Sequence, residues 1–291
     1  LTMNFNEYFI KNYSYDSWYY KMKLLEFLIE NYGEIEKFPT FPKIVQPTKE
    51  GEKPIHSESA VRSLKVEYFA STLHITEAVF ALMWALEKDV NSLWRLLLTY
   101  KHNELNSYIK TIEGGRQFSD DELNTLFYGK INLLQLKEKE AEKYSILMKS
   151  FEQIRIFLLG LAEWSLQHRS FYNSHKHGLR YVRAITTPET NVEVLRNLYN
   201  SDSIDSIIFI ERDDTQQQGI KPRGTLINYD RLKKIYEFNY YLVRNMIFTL
   251  RQLYDIQSGK LDKLQAYPFD KIDANNLFPP IKHIDADVKF E

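Results

Sequence analysis

The sequence predicts an all-α dominated protein, an α-helical bundle with a small β-hairpin inserted before the last long helix. Apolar residues recur at helical spacing through most of the chain, as in Trp18, Met22, Leu25 and Ile29. Alternation with β-branched residues replaces that period only in SIDSIIFIERDD and GTLINYD. With 44% hydrophobic residues in 291, the chain has enough apolar side chains for a proper core.

Residues 15–36 (YDSWYYKMKLLEFLIENYGEIE) form the first amphipathic helix, and Pro39, Pro42, Pro47 and Pro54 then impose an extended linker. A helix from Ser59 to about Glu87 carries one apolar face of Val61, Leu64, Tyr68, Val79, Leu82, Met83 and Leu86. Phe69, Leu73, Phe80 and Trp84 make a second, so neighbours are expected on several sides. Its third stripe is small and polar: Glu67, Ala70, Ser71, His74, Glu77, Ala78 and Ala81.

Residues 93–112 continue as helix, closed by Gly114 and Gly115, and Ser119 with Glu122 forms a capping box for the next short helix. A long helix is expected from about residue 138 to Gly178, which stands as its C′ glycine. A short helix at 192–199 and a hairpin at about 204–228 precede a helix over 230–257. In that helix Leu232, Tyr236, Tyr240, Val243, Ile247 and Leu250 keep the helical period. The tail, about 258–291, with Pro268, Pro279 and Pro280, reads as an extended strap over the surface. The whole, 1–291, is expected to be a single domain.

Lys plus Arg number 38 and Asp plus Glu 39, so the net charge is -1 and no global basic field exists to attract RNA; such binding would be local. The absence of cysteine removes disulfides, thiolate nucleophiles and Cys-ligated zinc. It fits a reducing compartment, and a cytoplasmic, soluble protein is expected. The runs VFALMWAL and IFLLGLAEW fall short of the roughly 20 residues that span a bilayer, and the N-terminus lacks a basic-then-apolar signal, so no membrane partner is expected. No P-loop, G-x-G-x-x-G, G-x-S-x-G or H-E-x-x-H occurs.

The segment 171–183, FYNSHKHGLRYVR, concentrates the chemistry. Unpaired carbonyls at a helix C-terminus favour cations, and each of Lys176, His177 and Arg180 gains about 0.3 to 1 kcal/mol there. Asn173 and His177, four apart, share one face; His175 lies off it and reads as a surface residue. The candidate catalytic residues are His177 and Asn173, with Lys176, Arg180, His74, Glu77 and Tyr172 as binding residues. His74 and Glu77 have an H-x-x-E spacing, but one such pair does not make a metal site, and neither metal nor cofactor is expected. Glu67 reads as a hydrogen-bonded partner. The polar strips should meet, with Asn173 or His177 touching His74 or Glu77.

Residues 172–178, Y-N-S-H-K-H-G, resemble the R-N-x-x-x-H-G signature of the HEPN superfamily, helical-bundle proteins many of which are metal-independent ribonucleases. Asn173 matches the polar residue of that motif, His177 its catalytic histidine and Gly178 its glycine, while Tyr172 replaces its arginine. The wider spacing from Arg169 to His175 also fits the looser family rule, without the Asn and Gly matches. The form Y-N-x-x-K-H-G is similar, too, to helical proteins in which a short strand region follows. The resemblance implies a homodimer whose cleft is built by both protomers, with RNA as the partner, His177 as acid or base and Asn173 orienting the phosphate.

Two functional classes are therefore open. In one, the chain is a non-catalytic binding or oligomerisation module whose motif forms a buried hydrogen-bond network. In the other it is a HEPN-like ribonuclease, or an RNA-binding toxin or defence protein. The first is preferred here because Tyr172 carries no positive charge and the net charge does not favour RNA.

Overall fold

The computed structural model describes residues 5–35, 37, 56–176, 204–213, 219–257, 259 and 265–278. The protein is predominantly helical, as the apolar periods require. Its helices are α1 (Phe5–Asn12), α2 (Asp16–Ile35), α3 (His56–Lys88), α4 (Leu93–Thr99), α5 (His102–Glu113) and α6 (Asp120–Tyr128). They are followed by α7 (Leu133–Lys139), α8 (Ala141–Gln167), α9 (Arg169–Lys176) and, after two strands, α10 (Tyr229–Gln257). The strands β1 (Ile204–Asp213) and β2 (Gly219–Asn228) pair antiparallel, with Ile208 opposite Gly224. The expected helix at 192–199 lies outside the described residues.

Two predicted helices are interrupted. The run 93–112 breaks at Tyr100 and Lys101, both extended, because the Tyr100 hydroxyl bonds Glu77 Oε1 at 3.3 Å and its ring packs edge-on to Trp84 at 6.3 Å. A side chain anchored on another helix here outweighs continuation of its own. The run expected over 138–178 starts at Ala141 and breaks at His168, whose buried ring lies edge-on to Trp164 at 5.2 Å. Periodicity does not register such a one-residue step.

Two compact units emerge from the contacts. The first contains the described residues of Leu1–Asp16, His74–Ser170 and Lys234–His283, and the second those of Ser17–Leu73 and Phe171–Lys233. In the first, α8 packs against α5, α6 and α7. Ser119 and Glu122 make the full capping box at the start of α6. Gly115, at φ +92, provides the left-handed turn that returns the Arg116 N–H to the Thr111 carbonyl and closes α5. Parallel rings of Phe157 and Phe238 stack at 3.7 Å, and Phe269 continues the stack on Phe238 at 4.7 Å.

The segment 265–278 is anchored in the core through Phe269, Ala274 and Leu277. Side chains hold its backbone as a neighbouring strand would. Gln252 bonds both the N–H and the carbonyl of Gln265, at 2.6 Å each, and Asn245 does the same to Tyr267 at 3.0 and 2.9 Å. Ser150 accepts from the Phe269 N–H and Gln153 from that of Ala274, both at 2.9 Å.

One apolar stretch is longer than the sequence runs suggested. Among the described residues Ala60–Lys88, 29 residues of α3, is long and apolar enough to cross a membrane; 78% of its most apolar window is buried inside the protein, as in a core helix.

Candidate functional site

In the second unit the N-terminal part of α3 is flanked by α2 and by the 171–176 portion of α9. Phe69 and Phe171, both fully buried, meet at 4.8 Å, which fixes α9 beside α3. Four residues along α9 from Phe171, and hence on the same face, His175 is carried to the α3 surface two residues before Phe69. There His175 Nε2 lies 3.3 Å from Glu67 Oε2. The other carboxylate oxygen, Oε1, receives Lys21 Nζ of α2 at 3.0 Å and the Ser71 hydroxyl at 3.4 Å. The His175 side chain is 22% exposed and that of Glu67 41%, so the group is neither sealed nor fully solvated.

The hydrogen bond from His175 depresses the Glu67 carboxyl most; burial opposes it, and Lys21 adds to it by hydrogen bond and charge. The net result brings it from 4.5 down to about 2. Glu67 is therefore an anion across the physiological range. A fixed anion at one ring nitrogen orients an imidazole. Such a pair can take and give protons.

A second polar group belongs to the first unit. Glu77 accepts from Tyr100, whose hydroxyl is pushed up to about 12 by burial and then by the Glu77 charge. Arg169 Nη2 lies 2.8 Å from His102 Nε2 and feels the Glu77 charge. The arginine of the wider Arg169–His175 spacing is thus engaged on this side.

The sequence-predicted site is only partly in view. His177, Gly178 and Arg180 lie outside the described residues, as does the Lys176 side chain. Tyr172 is buried, and Asn173 and His74 are half-buried. His175 of α9 reaches the polar stripe of α3 at Glu67, and the contact expected through His177 lies outside the described residues. His175, read from the sequence as a surface residue, is partly exposed and paired with Glu67. Glu67 does have the partnered role expected of it. Lys21 carried no signal in the sequence, where a lysine on an amphipathic helix looks like any solvated edge. Among the described residues no group of three or more His, Asp or Glu gathers as a metal site would.

No family model, curated protein or solved structure matches the chain.

Proposed function

We propose that the chain is a HEPN-like RNA-directed protein that cleaves RNA without a metal, with His175 as its acid–base group. Glu67 orients the imidazole, and Lys21 supplies positive charge that the chain as a whole lacks. The observation that carries this reading is the contact of 3.3 Å between His175 and Glu67 on a half-exposed surface. Of the two histidines compatible with the family resemblance, His175 is the one whose contact with Glu67 is described.

RNA brings its own nucleophile, the 2′-hydroxyl beside each phosphate. The O2′–P bond forms as the P–O5′ bond breaks; the proton on the 2′-oxygen passes to the imidazole, water gives one to the departing 5′-oxygen, and the imidazolium returns its proton to the hydroxide left behind. The products are a 2′,3′-cyclic phosphate and a 5′-hydroxyl. Histidine is suited to this exchange because it changes charge near neutral pH without help.

One observation favours the non-catalytic module as a second reading. Glu67 is shared by Lys21, Ser71 and His175, which also suits a polar lock between helices. Incubation of single-stranded RNA with the full chain in EDTA, using wild type, His175→Ala and His177→Ala, separates the readings. Cleavage lost only in His175→Ala, with the fold retained, is expected. Loss in His177→Ala alone would move the catalyst two residues along. An inactive wild type, with His175→Ala less stable, would leave the module.

A further inference from the structure

The first residue of α5, His102, meets the first residue of α9, Arg169, with Arg169 Nη2 2.8 Å from His102 Nε2. A guanidinium keeps its charge and only donates hydrogen bonds, so the ring nitrogen that faces it has to present a lone pair. The contact therefore exists only with a neutral His102 whose proton is on Nδ1.

The surroundings favour the same state. Both residues stand at helix starts, where the backbone carries positive partial charge and a further cation is disfavoured. Lys101, the N-cap of α5, makes no capping bond with its side chain and adds its own positive charge. From α3, Glu77 attracts Arg169 and accepts from the Tyr100 hydroxyl at 3.3 Å. Its single negative charge offsets Arg169, so a proton on His102 would add a cation that it does not match. Glu104, two residues along α5, is held by Lys88 of α3 at 3.5 Å. His168, beside Arg169 in the chain, lies edge-on to the Trp164 ring at 5.2 Å.

We infer that the contact between His102 and Arg169 is an acid-released latch, which ties the start of α9 to the start of α5 while His102 is neutral and opens when His102 takes a proton. Protonation removes the acceptor and leaves two cations in contact, and Arg169 then turns towards Glu77. The latch stabilises the folded chain above the ordinary histidine pKa of about 6.5 and is lost as the pH falls below it. The helix it releases is the one that carries His175, but the latch uses neither Glu67 nor RNA and is independent of the RNA reading.

Nitrogen NMR of the full chain with labelled histidine rings, over a pH series, tests it, and His102→Gln identifies the His102 signals among the 7 histidines. At neutral pH the Nε2 signal should be that of an unprotonated nitrogen. In Arg169→Met, which removes the cation and keeps the apolar stem, the His102 midpoint should rise by about one pH unit. Glutamine offers an acceptor that does not titrate, so between about pH 8 and about pH 5 the melting temperature of wild type should fall further than that of His102→Gln. A His102 already protonated at neutral pH overturns the latch. So does a midpoint that Arg169→Met leaves in place, or melting profiles of wild type and His102→Gln that run parallel. Should Arg169→Met fail to fold, the wild-type Nε2 signal and the His102→Gln profile still decide.

Discussion

Asn245 holds Tyr267 by both ends of its peptide unit, Nδ2 donating to the carbonyl at 2.9 Å and Oδ1 accepting the N–H at 3.0 Å. Asn245 is buried, so no solvent can take over cheaply from it. Asn245→Ala should cost about 1 to 3 kcal/mol, the penalty for polar groups left without partners, and Asn245→Asp should also destabilise because it offers no donor to the carbonyl. Urea unfolding measures both, and an unchanged midpoint would show that the segment 265–278 is held by its aromatic rings alone.

Glu67 makes stability depend on acid. Its folded pKa, about 2, lies below the ordinary 4.5, so its contribution is complete above about pH 4.5 and disappears as the pH falls towards 2. Glu67→Gln should flatten the fall of the melting temperature across that interval. Parallel profiles for the two proteins would contradict the three-way contact with Lys21 and His175.

Tyr100 acts at the other end of the scale. Burial and Glu77 raise its hydroxyl from 10.0 to about 12, so the folded state keeps a proton that the unfolded state loses first. The stabilisation is present below pH 10 and is lost as the pH rises towards 12. Tyr100→Phe should reduce the slope of stability against pH in this range, as read by denaturation at stepped alkaline pH.

Gly160 sits in α8 where a Cβ would come 2.4 Å from Phe278 Cδ2. Alanine normally improves a helix interior by up to about 1 kcal/mol, but here Phe278 must move from its contact with the Phe157 ring. Gly160→Ala should therefore destabilise by about 1 to 3 kcal/mol. A higher melting temperature would mean that Phe278 yields without cost.

The sequence was most legible where a local rule governs. The period of α2, α3 and α10, the glycine stop after α5 and the Ser119 capping box are each properties of a few adjacent residues. It was least legible where distant groups decide. Nothing near Tyr100 announces that Glu77 will take its hydroxyl and break a helix. The proline-marked tail read as a surface strap, but not where it is fastened, because its anchors, Asn245, Gln252, Ser150 and Gln153, are polar residues on helices assigned to the core. For the site, the small polar stripe of α3 pointed to Glu67, whereas the choice of His175 over Asn173 depended on the seating of Phe171 against Phe69.

The anchoring of 265–278 also sets an order on biosynthesis. The Phe269 N–H bonds Ser150, made 119 residues earlier, and the Ala274 N–H bonds Gln153, made 121 residues earlier. While the ribosome is still translating α10, the face of α8 that includes Gly160 has none of these partners, and the Phe157 ring awaits both Phe238 and Phe278. The nascent first unit therefore displays an aromatic surface from the translation of Phe157 until that of Phe278, the condition under which chaperone capture and misassembly compete with folding.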